Sequence, residues 1–325
     1  MLSPSEALYQ ELVGFCALVH AILVPKDTQS TPQETNIPEN YISDKTDYHL
    51  SSFLGKGQAG NVYRADNAQG EPVFAVKLLK LSKAVGVGLP LRRTFLAYQK
   101  VLTRLRHAHV VKYRGWSLDG LDGRILTEFC DGGTLLKHIR SDPEAWGIQE
   151  NQRSIWTRQL IHGLDYLHAH GIVHRDIKPS NIFIHRQQIK IGDLGSARIQ
   201  QTCCSKPHQT KMSGTAQYLA PESIVGKVAH ETTGEDLWAL GCVIYEMALG
   251  QMPWSQLDND MAIYFHLGTI AETPDAPFLL MQEATDSSKC TYQELEILRG
   301  CFVIDPRGRL TAPELLQILD RAEAS

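Results

Sequence analysis

The sequence predicts an α+β chain in which strands come first and helices follow. Three observations carry that prediction. From Tyr48 the chain runs through short β-type segments at 49–54, 61–65 and 73–79, with the turn Asn67-Ala68-Gln69-Gly70 between the last two. Long segments with helical spacing come later: Trp156, Leu160, Leu164 and Leu167 within 151–170, and the nearly unbroken apolar stretch 237–249. Two further β-type runs, 181–184 and 188–191, lie between the two helical segments and lead to Asp193.

The 325 residues can hold one large domain or two ordinary ones, and 43% hydrophobic content is that of a globular protein. With 32 Lys plus Arg against 36 Asp plus Glu, no broad electrostatic field draws nucleic acid or a membrane surface to the chain. Any phosphate chemistry must be local. Seven cysteines with irregular spacing argue for a reducing, cytoplasmic setting. The vicinal pair Cys203-Cys204 has no second ligand pair or C-x-x-C spacing to make it a metal or redox site.

Residues 1–24 are expected to form an N-terminal helix, opened by Ser3-Pro4-Ser5-Glu6 as cap, first-turn proline and capping-box glutamate. Its apolar core, broken by Gly14 and His20, falls short of the ~20 residues that span a bilayer, so docking on a protein surface is favoured over membrane anchoring. Residues 25–47, rich in Pro, Thr, Gln, Asn and Asp, are expected to be a linker. The compact domain is expected over 48–322.

The chemistry concentrates in 174–195. A short loop, His174 to Asn181, feeds the two β-type runs, and this layout brings Asp176, Lys178, Asn181 and Asp193 close together. Two carboxylates, an amide and a lysine are the parts needed to orient a hydroxyl and hold Mg²⁺ against a polyphosphate. Upstream lies Gly55-Lys56-Gly57-Gln58-Ala59-Gly60. A lone G-x-G-x-x-G is weak evidence, and a dinucleotide fold would start a helix at Gly60, where a β-type run stands instead.

His174-Arg175-Asp176 with Asn181, and Asp193-Leu194-Gly195, resemble the H-R-D-x-x-x-x-N and D-x-G motifs of the protein kinase family. Phe74-Ala75-Val76-Lys77 resembles its third-strand V-A-I-K, and Ala220-Pro221-Glu222 closes its activation segment. Pro253-Trp254 through Leu257-Asp258-Asn259 to Ala262-Ile263 resembles the MAP kinase kinase kinases, most closely the fungal stress-pathway members. The resemblance implies a two-lobed fold, with an N-lobe (48–127) of a five-stranded antiparallel sheet plus one helix, and a mainly helical C-lobe (134–322). It implies Mg·ATP as cofactor, held by Leu54, Gly55, Lys56, Gly57, Gln58, Ala59, Gly60, Val62, Ala75, Lys77 and the backbone of Glu128 and Cys130, with Thr127 as gatekeeper. Asp176, Lys178 and Lys77 become the catalytic residues, Asn181 and Asp193 the metal ligands. The partners implied are a protein substrate such as a MAP kinase kinase and an upstream regulator or scaffold. Lys178 with Gly214-Thr215 is the serine/threonine pattern.

The pattern breaks once. No Asp or Glu occurs from Leu78 to Leu118, and the helix glutamate that the family pairs with the strand lysine falls on Tyr98, in a helix expected over 91–105. The same stretch is rich in Lys and Arg, either as a solvated face or as a dock for an acidic regulatory segment. The break leaves a second reading open, a pseudokinase that scaffolds or activates a true kinase.

The resemblance assigns the remaining landmarks to structure and regulation. His174 is expected to be structural, Asp236 to tie down the loop backbone, and Arg309 to pair with Glu222. Arg175 is expected to lack a counter-charge until an anion meets it, and phosphate on Thr210 or Ser213 is the candidate. Thr215 is expected to bond Asp176 or Lys178.

Overall fold

A computed structural model describes residues 40–42, 47–56, 60–80, 102–119, 122–141, 147–199, 215–225, 233–272 and 279–323. The chain divides into two compact units, Met1–Asp131 and Gly132–Ser325.

The first unit is an antiparallel sheet. Its strands are β1 (Asn40–Ile42), β2 (His49–Lys56), β3 (Gly60–Asp66), β4 (Pro72–Lys80), β5 (Tyr113–Asp119) and β6 (Asp122–Glu128), in the spatial order β1-β5-β6-β4-β3-β2. Alternation in β4 sends Phe74 and Val76 to one face, where they join Ala65 and Leu126 in a core that Ile42, Tyr48, Val73 and Leu78 enclose. The turn between β3 and β4 forms as expected: Asn67 Oδ1 accepts the N–H groups of Gln69 (3.0 Å) and Glu71 (2.9 Å), and Gly70 takes the left-handed φ of 80°.

The sheet has six strands rather than five, because three residues of the stretch expected to be linker pair with β5. Tyr41 opposes Trp116 in that pairing, and the two rings stack at 4.9 Å. Gly115 makes the approach feasible, since a Cβ there would lie 2.1 Å from the Tyr41 carbonyl oxygen. The expected N-terminal helix lies outside the described residues, as does the helix expected over 91–105 apart from its end, where Leu102 and Leu105 are buried.

The second unit is mainly helical: α1 (Leu135–Ile139), α2 (Glu150–Ala169), α3 (Pro221–Val225), α4 (Thr233–Leu249), α5 (Asp260–Glu272), α6 (Leu279–Asp286), α7 (Tyr292–Cys301) and α8 (Ala312–Glu323). Every residue of α4 from Asp236 to Leu249 is buried, as an all-round apolar helix requires. Trp156, Leu160, Leu164 and Leu167 of α2 are buried too. The short strands are β7 (Ile172–Val173) paired with β10 (Arg198–Ile199), and β8 (Ile182–His185) paired with β9 (Gln188–Ile191). No helix among the described residues is long and apolar enough to cross a membrane.

Candidate active site

In the first unit, strand register decides which expected nucleotide residues meet. Val62 opposes Lys77, Lys77 opposes Ile125, Ala75 opposes Thr127, and Gly55 opposes Val62. Directly opposed residues share a face, so Gly55, Val62, Ala75, Lys77 and Thr127 line one side of the sheet, opposite the Phe74–Val76 core. The irregular register between Phe53 and Gly55 leaves Leu54 46% exposed, and Lys56 is exposed beside it. Gly60 has a structural reason to be glycine, because a Cβ would sit 1.9 Å from the Leu78 carbonyl oxygen and part β3 from β4. Gly57, Gln58 and Ala59 lie outside the described residues.

Glu128 ends β6 with its backbone N–H donating to the Lys112 carbonyl (2.9 Å) and its carboxylate accepting the Lys112 N–H (2.8 Å). Cys130 follows, half-buried. Thr127 Oγ1 donates to the Ala75 carbonyl at 3.4 Å.

In the second unit, the hairpin β8–β9 builds the site. Ile182 opposes Ile191, so the chain enters β8 at Asn181 across from where it leaves β9 at Gly192. The Gly192 N–H donates to the Asn181 carbonyl at 2.9 Å, which places Asp193 one residue beyond that contact. Asp193 takes the left-handed conformation, φ 52° and ψ 60°, and caps a short turn whose buried Leu194 anchors it. Such a backbone is uncommon outside glycine and is found where surrounding packing imposes it.

The catalytic-loop stretch is tied from below and from the side. Asp236, at the start of α4, accepts the backbone N–H groups of His174 (2.8 Å) and Arg175 (2.7 Å), and a ring nitrogen of His168 lies 2.9 Å from it. Burial alone would raise the Asp236 pKa, but these bonds hold it below the ordinary carboxylate value. His174 is fully buried; its Nε2 donates to the Gly192 carbonyl (2.9 Å), and its Nδ1 accepts the Asp176 N–H (3.3 Å). A single imidazole thus spaces the loop that carries Asp176 from the strand end that carries Asp193.

Both Asp176 carboxylate oxygens are engaged. Lys178 Nζ lies 2.9 Å from Oδ1 and also 2.9 Å from Thr215 Oγ1, while Asn181 Nδ2 lies 2.8 Å from Oδ2. Asn181 also donates to the Asp176 backbone carbonyl at 2.8 Å. Both amide protons are spent, which leaves Asn181 Oδ1 as an acceptor.

This donor set fits a hard divalent cation. Asn181 Oδ1 and the Asp193 carboxylate would offer such an ion two oxygens from adjoining strand ends, too few for a closed protein cage and suited to an ion that shares its shell with phosphate and water. Among the described residues no group of three His, Cys, Asp or Glu side chains forms a metal cluster.

Arg175 departs from expectation. The acidic partner foreseen from a phosphate is met by a carboxylate of the chain itself, with Arg175 Nε 3.9 Å from Glu235 Oε2. Sequence reading passed over Glu235 although it adjoins Asp236. It also missed Glu246, a fully buried carboxylate in the apolar run of α4 that accepts from Tyr218 Oη at 2.5 Å. An acid inside thirteen otherwise apolar positions was the available signal. Arg309 donates to both Glu222 oxygens, at 2.6 and 2.7 Å. Thr210 and Ser213 lie outside the described residues.

An antiparallel sheet unit followed by a helical unit, with Asp176, Lys178, Asn181 and Asp193 carried on one loop and hairpin, defines the protein kinase fold. The protein kinase domain family matches residues 48–319. Serine/threonine-protein kinase SSK22 of Saccharomyces cerevisiae is 35% identical over 288 residues, which cover 82% of this chain and 20% of that protein. MAP kinase kinase kinase wis4 of Schizosaccharomyces pombe is 34% identical over 283 residues, 81% of this chain and 19% of that one. Mitogen-activated protein kinase kinase kinase A of Dictyostelium discoideum is 31% identical over 297 residues, 88% and 30% of the two chains. This chain belongs to the protein kinase domain family, and within it groups with serine/threonine kinases of the MAP kinase kinase kinase kind. It spans less than a third of the length of these three relatives.

Proposed function

We propose that the chain is an active serine/threonine protein kinase that transfers the γ-phosphoryl group of Mg·ATP to a protein hydroxyl, with a MAP kinase kinase as substrate. The observation that carries this reading is the Asp176 carboxylate, gripped by Lys178 on one oxygen and Asn181 on the other. A carboxylate held at two points is aimed, and its remaining lone pairs can accept the proton of a serine or threonine hydroxyl as phosphorus is attacked. Lys178, steadied by Thr215, supplies positive charge where the transferring phosphoryl group gains negative charge. Asn181 Oδ1 and Asp193 would hold Mg²⁺, which when bound neutralises charge on the phosphates. Lys77, on the face with Val62 and Ala75, takes the role of the α- and β-phosphate contact.

The name MAP kinase kinase kinase belongs to the relatives, and it comes to this chain through the likeness of its kinase domain. The substrate assignment is therefore tested directly. The full chain is given Mg·ATP and a catalytically inactive MAP kinase kinase, beside an Asp193→Asn control. Phosphate on serine or threonine of the substrate, made only with Asp193 intact, supports the reading.

A second reading, a nucleotide-binding pseudokinase that activates a partner, draws on the absence of any Asp or Glu from Leu78 to Leu118. Nucleotide binding without transfer in the same experiment would favour it. An oriented lysine is worth a few kcal/mol in the transition state, and each ~1.4 kcal/mol is a factor of ten in rate. Loss of the glutamate that orients Lys77 therefore slows turnover before it abolishes it.

A further inference from the structure

A row of directly opposed residues runs from the rim of the first unit's sheet to Lys77. Tyr41 of β1 opposes Trp116 of β5, Trp116 opposes Ile125 of β6, and Ile125 opposes Lys77 of β4. Directly opposed residues share a face, so Tyr41 and Lys77 stand on the same side of the sheet with β5 and β6 between them. The strand that begins the row precedes residues 48–319, over which the chain matches the protein kinase domain family.

Without β1, β5 would be the edge of the sheet, and edge strands leave backbone groups unpaired and fray. A strand of three residues carries little backbone pairing of its own, and here side chains hold it from both faces. The Tyr41 ring stacks on Trp116 at 4.9 Å, and Ile42 packs on the other face against the core of Ala65, Phe74, Val76 and Leu126. Trp116 is 3% exposed, so the stack fixes a side chain that packing already confines. The clasp is also local. Asn40, Tyr41 and Ile42 pair with Ser117, Trp116 and Gly115 alone, whereas the neighbouring row, Ala75 with Thr127 and Thr127 with Tyr113, lies past the end of β1 and leads to the Glu128–Cys130 backbone expected to meet the base.

We propose that Tyr41 is a positioning residue for Lys77: its stack on Trp116 clamps the row that carries the lysine and so sets the affinity for the α- and β-phosphates of Mg·ATP. The inference rests on the kinase reading above, from which the phosphate role of Lys77 comes. A long side chain magnifies small shifts of its strand, and a charge that meets phosphate loses its effect when displaced. The base is held from a row that β1 does not reach. Loosening the clasp therefore weakens nucleotides that carry phosphates and spares the bare nucleoside.

The test uses the full chain as wild type, Tyr41→Ala, Tyr41→Phe and Gly115→Ala, with affinities for Mg·ADP and for adenosine measured by titration calorimetry. Tyr41→Ala is expected to weaken Mg·ADP by about three- to tenfold, the worth of one aromatic stack, with adenosine unchanged. Tyr41→Phe keeps the ring and should bind both ligands as wild type does. Gly115→Ala leaves β1 unaltered but sets a Cβ 2.1 Å from the Tyr41 carbonyl oxygen, so it displaces the strand and should reproduce the Tyr41→Ala pattern. KM for Mg·ATP should rise by the same factor in both variants. Equal Mg·ADP affinity in wild type and Tyr41→Ala overturns the proposal. So do an equal loss for adenosine, which marks a general loss of fold, an unaffected Gly115→Ala, and a wild type that binds no Mg·ADP. If wild type binds Mg·ADP but transfers no phosphate, the kinase reading fails, and the affinity ratios still decide whether Tyr41 positions Lys77.

Discussion

Asn181 gives both of its side-chain amide protons to Asp176, one to the backbone carbonyl and one to Oδ2, each at 2.8 Å. The same side chain therefore fixes the Asp176 carboxylate and leaves its own Oδ1 for the metal role proposed above. Asn181→Ala removes both at once and should lower kcat/KM by about two to three orders of magnitude. Asn181→Asp keeps an oxygen ligand but sets a second carboxylate against Asp176, and its activity should require more Mg²⁺ than wild type. Rates measured across a Mg²⁺ titration check both expectations.

The hairpin that aligns Asn181 with Gly192 turns through Arg186 and Gln187, whose φ angles of 50° and 66° are both left-handed. Two-residue hairpin turns of this kind favour glycine at the second position. Gln187 is exposed, and its backbone carbonyl, which accepts from Trp156 Nε1 at 3.0 Å, survives substitution. Gln187→Gly should stabilise the second unit by about 0.5–1 kcal/mol with phosphotransfer unchanged. Denaturant unfolding checks the first expectation and an activity assay the second.

Glu246 is buried between Tyr218 and Arg140, at 2.5 and 3.7 Å. Burial raises its pKa above the ordinary 4.5, and the Tyr218 hydroxyl and Arg140 only partly offset that. A carboxyl whose folded pKa is raised contributes its stability below the unfolded value and loses it as pH climbs through the folded one. Glu246→Gln keeps an acceptor for Tyr218 without the buried charge. The variant should therefore gain on wild type as pH rises from 4.5, in unfolding free energies measured from pH 4.5 to 8. A wild type that gains on the variant as pH rises contradicts this.

Arg309 fills all of its donors' directions: besides Glu222 it reaches the carbonyls of Val303 (2.7 Å), Gly234 (2.8 Å) and Ile304 (3.3 Å). Lysine carries the charge but not the planar fork. Arg309→Lys should cost about 3 kcal/mol, since it strands part of a buried ion pair, and should appear as a lower unfolding midpoint in a denaturant titration.

Much of this site was legible because its residues are local or motif-bound. The loop 174–181 and the strands on either side of Arg186-Gln187 follow from alternation and turn chemistry, and hairpin register alone places Asn181 against Gly192. The helix α4 announced itself as thirteen positions, 237–249, apolar but for Glu246. Long-range pairings were less visible. Nothing in the composition of 25–47 signals that Tyr41 finds Trp116, since three residues carry too little periodicity to mark a strand and the docking notch is a missing side chain at Gly115. Glu235 was hidden differently: an acid in a first helical turn is ordinary, and only the left-handed backbone of Arg175 turns that residue toward it.

Phosphate incorporated into an inactive MAP kinase kinase by the full chain, beside its Asp176→Asn variant and with ADP affinity measured on both, tests the claim for Asp176 most directly. Transfer by wild type that drops by at least about three orders of magnitude in the variant, at equal ADP affinity, is the predicted result. Equal transfer by the two proteins, or none by either while both bind ADP, would contradict it.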